Sequence, residues 1–191
     1  MNVSEIVKKR LIESAELKEK ITDDVGLITT AANAIINAFR SGNQVFLFGN
    51  GGSAADAQHI AAELSGKFQK DRDPLPAMAL TTNTSALTAI ANDYDFKDVF
   101  ARLVKAYVRK GDIVIGISTS GTSENIIRGI KTAKEQEAIT ISLCGESGKL
   151  KEVADISISV PSKITPRIQE AHITIGHIIC ELVEAELFGG N

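Results

Sequence analysis

Hydrophobic positions fall into two regimes along the chain. From residue 2 to 40 they recur at helical spacing; from residue 44 onward, short apolar runs alternate with helical stretches. The spacing predicts a helix over 2–20, with Val3, Ile6, Val7 and Leu11 on one face, and a second over 24–40. The second is apolar almost all round (Leu27, Ile28, Ala31, Ala32, Ala34, Ile35, Ile36, Phe39), so burial on several sides is expected. An α/β domain this small buries only one face of such a helix, which makes a subunit interface the natural use for the rest. Ser41-Gly42-Asn43 ends it.

Five apolar runs follow, at 44–48, 77–81, 112–118, 138–144 and 156–160. Helical patterns separate them at about 53–65, 84–92 with 97–109, and 124–136, and a last helix runs from near Gln169 to Leu187. Alternation of this kind predicts an α/β fold: a parallel sheet with helices on both faces, a three-layer α/β/α sandwich. One domain over 1–191 is expected, with 1–43 as N-terminal helices and 44–191 as the α/β core. The polar, proline-containing stretch Lys67–Pro76 reads as a surface connection.

The 191 residues carry 21 Lys and Arg against 24 Asp and Glu, a net charge of −3 without a basic block, which disfavours nucleic acid and anionic lipid as partners. The longest apolar runs are strand-sized, far short of the roughly 18 residues of a membrane span. Charges throughout the first thirty residues break the apolar core that a secretory signal needs, so a cytoplasmic location is expected. Cys144 and Cys180 lie far apart inside apolar runs and read as buried thiols.

In an open parallel sheet, ligands sit beyond the carboxyl ends of the strands. Gly49-Asn50-Gly51-Gly52-Ser53-Ala54 lies there, before a helix whose free N–H groups favour an anion. It fits the dinucleotide pattern G-x-G-x-x-A, but the second strand ends in Thr81-Thr82-Asn83 where a ribose-binding acid belongs. Without a following Gly-Lys-Ser/Thr it is not a P-loop. Ser118-Thr119-Ser120-Gly121-Thr122-Ser123 occupies the equivalent place after the third strand, with five hydroxyls in six residues able to donate to a phosphate. Ordinary capping would use one of them. Asn92-Asp93-Tyr94-Asp95 offers polar groups to a polyol, or is a plain turn.

His59 and Glu63, four apart on the helix opened by the glycine loop, share a face. Such pairs are often solvated; this one sits on a helix aimed at a presumed phosphate site. His172 and His177 lie in an isoleucine-rich helix, where a histidine is usually a hydrogen-bonded core residue. Gln169 and His177 are about 12 Å apart along a straight helix. They meet in one small site only if Gln169 lies at a frayed start or different chains supply them. A carboxylate paired with an imidazole suits a proton-transfer isomerase. His, Glu, Gln and His could also hold a divalent metal, zinc being favoured by two imidazoles.

The glycine loop, Gln58-His59-Ile60-Ala61-Ala62-Glu63-Leu64, Ala89-Ile90-Ala91-Asn92-Asp93, Ile117-Ser118-Thr119-Ser120-Gly121 and Arg167-Ile168-Gln169-Glu170-Ala171-His172-Ile173, in this order over nearly the whole chain, resemble the sugar isomerase (SIS) domain family, specifically its phosphoheptose isomerases. The resemblance implies a five-stranded, flavodoxin-like parallel sheet and a homotetramer with active sites between subunits. It also implies a cytoplasmic role at the first step of ADP- or GDP-heptose synthesis, through conversion of sedoheptulose 7-phosphate to D-glycero-D-manno-heptose 7-phosphate. By position, Glu63 and His177 look like the acid/base pair, and His59, Glu63, Gln169 and His177 like ligands of one zinc ion per subunit. Asn50, Gly51, Gly52, Asn92, Asp93, Ser118, Thr119, Ser120 and Ser123 look like substrate-binding positions, with Glu63 and Gln169; the loop argument adds Ser53. Lys67 stands where arginine is expected in many relatives, and Pro166 where some carry aspartate. Neither departure touches the core set, but each could alter substrate orientation, since lysine is a point charge and not a fork.

Some SIS relatives are instead non-catalytic tetramers that associate with the replication initiator DnaA. They share the glycine loop but typically lack Glu and His at the positions of Glu63 and His177; this chain has both. SIS transcriptional regulators would need a basic N-terminal helix-turn-helix, absent from the first forty residues.

Overall fold

The computed structural model describes residues 2–189. Two helices, α1 (Val3–Lys20) and α2 (Val25–Arg40), precede β1 (Val45–Gly49), α3 (Gly52–Ser65), β2 (Ala77–Ala79), α4 (Thr84–Asp93), α5 (Val99–Tyr107) and β3 (Ile113–Ser118). Then follow α6 (Glu124–Glu135), β4 (Ile139–Gly145), α7 (Leu150–Val153), β5 (Ile156–Val160) and α8 (Thr165–Phe188). The five strands are all parallel in the order β2-β1-β3-β4-β5. All five predicted strands and the helical layers are present. Differences are local: β2 stops at Ala79, Ile21–Asp24 forms a 3-10 turn, and α8 begins four residues early. Pro166 sits in the first turn of α8, where its missing N–H costs nothing.

Alternate strand side chains feed two cores. Val45, Leu47, Ile113, Ile115, Ile141 and Leu143 face α2, α3 and α8, while Phe46, Phe48 and Val114 face α5 and α6. Phe48 stacks on Phe100 at 4.7 Å between centroids. Within one chain, helix α2 buries one face through Ile28, Ala31, Ala32, Ile35 and Ile36 and leaves Val25 and Leu27 exposed, the partial enclosure expected of a domain this size. Val3, Val7, Leu11 and Ile12 of α1 are exposed as well.

Because β2 and β3 leave β1 on opposite sides, the strand order reverses beside the ends of β1 and β3, where open α/β sheets bind ligands. No helix among the described residues is long and apolar enough to cross a membrane. Both cysteines are buried free thiols, as expected.

Candidate active site

A cavity of about 300 Å³ lies at this switch point. Asn50, Gly51, Gly52 and Ser53 form one wall; Ser118, Thr119 and Ser123 form the other, with Thr165 and Gln169 of α8 closing the end. Gly51 has φ +54°, a conformation that a side chain rarely adopts. A Cβ on Gly52 would lie 2.3 Å from Gln169 Nε2, so this glycine lets α8 bring its amide against the loop. Ser123 occupies the N-cap of α6 without a side-chain cap bond, its hydroxyl instead accepting from Ser118 Oγ at 3.1 Å. Capping therefore does not use up this hydroxyl cluster. Ser120 Oγ accepts from Thr122 N at 3.2 Å and does not line the cavity.

The two loops are tied by a contact that the sequence reading missed. Asn50 and the buried Asn125 exchange two amide hydrogen bonds, each 2.9 Å. An amide among the apolar positions of a first helical turn, Asn125-Ile126-Ile127, was the available signal.

Helices α3 and α8 run side by side in the same direction: Gly52 meets Gln169, and Ile60 meets Gly176. Two turns beyond the cavity this brings His59, Glu63 and His177 together. His59 Nε2 lies 3.0 Å from Glu63 Oε1 and 3.3 Å from His177 Nε2. All three ligand atoms are within 4.8 Å of one another. A single Nε2 proton on His59 cannot serve both neighbours, whereas a shared cation would engage all three lone pairs. The two separations are close to the edge of a tetrahedron with 2.0–2.1 Å bonds, about 3.3 Å. Two imidazoles and one carboxylate fit zinc. The ring of Phe68 stands 5.8 Å from that of His177.

Gln169 is not at a frayed helix start: α8 begins a full turn earlier, at Thr165, and the amide lines the cavity. Asn92 and Asp93 form the exposed last turn of α4, joined by a 2.9 Å bond, and do not line this cavity. His172 is a core residue, fully buried, with Nε2 donating to the Cys144 carbonyl at 3.2 Å; burial holds its imidazole down at about 4. Asp56, one turn before His59, has a buried Oδ2 without a partner, and burial pushes its carboxyl up to about 6.

Residues 12–145 match the SIS domain family. The chain is 52% identical to phosphoheptose isomerase 2 of Campylobacter jejuni, over 98% of this chain and 96% of the relative. It is 54% identical to the phosphoheptose isomerase of Aquifex aeolicus, over 94% and 95%. Among solved structures, phosphoheptose isomerase GmhA from Neisseria gonorrhoeae superposes with a TM-score of 0.91 at 40% identity, over 96% of this chain and 100% of that one. The Francisella tularensis phosphoheptose isomerase gives 0.92 at 34% identity, over 96% and 98%. By the family match and these near-full-length relatives, the chain belongs to the phosphoheptose isomerases of the SIS domain family.

Proposed function

We propose that the chain is an aldose-ketose isomerase converting sedoheptulose 7-phosphate to D-glycero-D-manno-heptose 7-phosphate, the first step toward ADP- or GDP-linked heptose. The observation that carries this reading is the layout of one helix pair, with a cavity walled by the glycine and hydroxyl loops at its start and a carboxylate beside imidazoles two turns on. Gly52 to His59 and Gln169 to His177 span about 10–12 Å at the helical rise. An open-chain heptose 7-phosphate, with six carbon–carbon bonds and a phosphate ester, extends about 10 Å. Phosphate held by Ser118, Thr119, Ser123 and the N–H groups of the glycine loop leaves C1 and C2 beside Glu63 and His177, with Ser120 behind the wall and reaching the phosphate only by turning away from Thr122. Asn50, Ser53 and Gln169 would hold hydroxyls from the cavity wall, and Asn92 and Asp93 from the exposed end of α4.

Glu63 removes a proton from C1 as His177 protonates O2, giving the enediol. Glu63 then returns the proton to C2 while O1 gives up its proton to His177, restoring the imidazole, and becomes the aldehyde oxygen. Atoms and electrons balance within the sugar. His59, Glu63 and His177 would hold zinc, which polarises oxygen ligands as a Lewis acid; Gln169, about 12 Å from His177 along the unbroken α8, would join such a set only from a neighbouring subunit. A binding module has no use for Glu63 and His177 so placed.

The exposed apolar face of α1 supports association between copies of the chain, here read as a homotetramer, which light scattering tests. The test of function is an NMR assay of sedoheptulose 7-phosphate after chelation, with and without zinc. Formation of the manno-configured aldoheptose 7-phosphate is expected; no turnover from folded protein in either condition overturns the proposal.

A further inference from the structure

We infer that Arg72 and Glu184 form a positioning clasp that sets the spacing of His59, Glu63 and His177. This rests on the isomerase reading and deepens it.

The clasp begins in the largely exposed connection 67–76. Arg72 departs from that exposure: its side chain is 2% exposed and its partner's, Glu184, is 4% exposed. Arg72 Nε donates to Glu184 Oε1 at 2.9 Å. Nη2 donates to the carbonyl of Glu63 at 2.9 Å, and Nη1 to that of Leu64 at 2.9 Å. These carbonyls belong to the last turn of α3, which has no helical donors left for them. The other carboxylate oxygen, Oε2, accepts from Gln69 N at 2.9 Å and Lys70 N at 3.0 Å.

Glu184 lies seven residues after His177, two turns further along the same side of α8. One unbroken set of charge-assisted bonds therefore runs from the backbone of Glu63, through Arg72 and Glu184, to the helix that carries His177. The same carboxylate fixes the two residues after Phe68, whose ring packs near His177. Burial works to raise the Glu184 carboxyl, but the Gln69 and Lys70 N–H groups and the Arg72 guanidinium outweigh it and hold it below its usual range.

Stability alone does not call for such a pair, because well-packed apolar residues often replace a buried ion pair without loss. Apolar replacements cannot grip the Glu63 carbonyl, and lysine lacks the fork needed to hold Glu184 and two carbonyls together.

The experiment compares wild type, R72K and the apolar double variant R72M/E184M, with circular dichroism and light scattering to establish folding. Cobalt(II) serves as the probe, read by its visible absorption and by chelator competition without substrate, beside kcat and KM for sedoheptulose 7-phosphate. The expected result is cobalt affinity weakened about 10–100-fold in both variants, a comparable fall in kcat, and KM within about threefold of wild type. Should R72K not fold, the double variant carries the test. Folded variants with wild-type cobalt affinity and kcat overturn the clasp and leave the isomerase reading intact. A wild type that takes up no cobalt and turns over no sugar phosphate overturns the reading itself, and the clasp with it.

Discussion

His59 and His177 turn their Nε2 atoms toward each other at 3.3 Å, with Glu63 Oε1 3.0 Å from the first of them. Three lone-pair donors converge there from two helices, an arrangement suited to a cation. Removing one donor by H177N should lower zinc affinity at least about tenfold and leave the secondary structure intact. Competition against a chromophoric chelator measures this; unchanged affinity would take His177 out of the ligand set.

The approach of the two histidines depends on their neighbours. A Cβ on Gly176 would lie 2.6 Å from Ile60 Cδ1, so G176A must push α3 and α8 apart or displace Ile60. Overpacking of this kind costs about 1–3 kcal/mol. Denaturant melts should show that loss together with weaker zinc binding, and I60V should recover part of both. Full stability in G176A would contradict the tight helix contact.

Ser123 separates two readings of the hydroxyl loop. A capping serine loses about 1 kcal/mol on replacement by alanine. Ser123 makes no cap bond, so S123A should change stability little and raise KM for the sugar phosphate several-fold at similar kcat. A large fall in melting temperature with unchanged KM would return Ser123 to a capping role.

His172 gives the stability a pH dependence of known sign. Its imidazole sits at about 4 in the fold, against about 6.5 when unfolded. The unfolded chain therefore binds more protons between these values, and this contribution, complete above about pH 6.5, is lost toward pH 4, roughly 3 kcal/mol in all. Asp56, raised by burial to about 6, acts in the opposite sense over part of this range, so the difference between wild type and H172Q is the quantity to follow. Urea melts should show the wild-type advantage shrinking as the pH falls. A difference that stays constant from pH 7 to pH 4 contradicts the assignment.

The layers and the switch point were legible because each β run is short, apolar and followed by a helical period. The glycine and hydroxyl loops were legible from position alone, at strand ends that lead into helices. What joins them was not: Asn50 and Asn125 stand 75 residues apart, and nothing local signals their exchange of hydrogen bonds. His59 and His177, 118 apart, are brought together by helix packing that turns on the absence of a side chain at Gly176. The polar stretch 67–76 is the surface connection its composition indicates, most of its residues being exposed, with the Arg72 side chain the charged exception. Nothing local signals that a buried carboxylate two turns beyond His177 draws the Arg72 side chain inside.

Glu63 carries the central claim, since proton transfer between C1 and C2 needs a carboxylate beside the reacting carbons. The most direct measurement is turnover of sedoheptulose 7-phosphate by wild type and E63Q, followed by NMR, with light scattering to show that both share one assembly. Wild type should form the manno-configured aldoheptose 7-phosphate, and E63Q should be at least about 100-fold slower. Comparable turnover by E63Q, or none by folded wild type, would contradict the assignment of this site to aldose-ketose isomerisation.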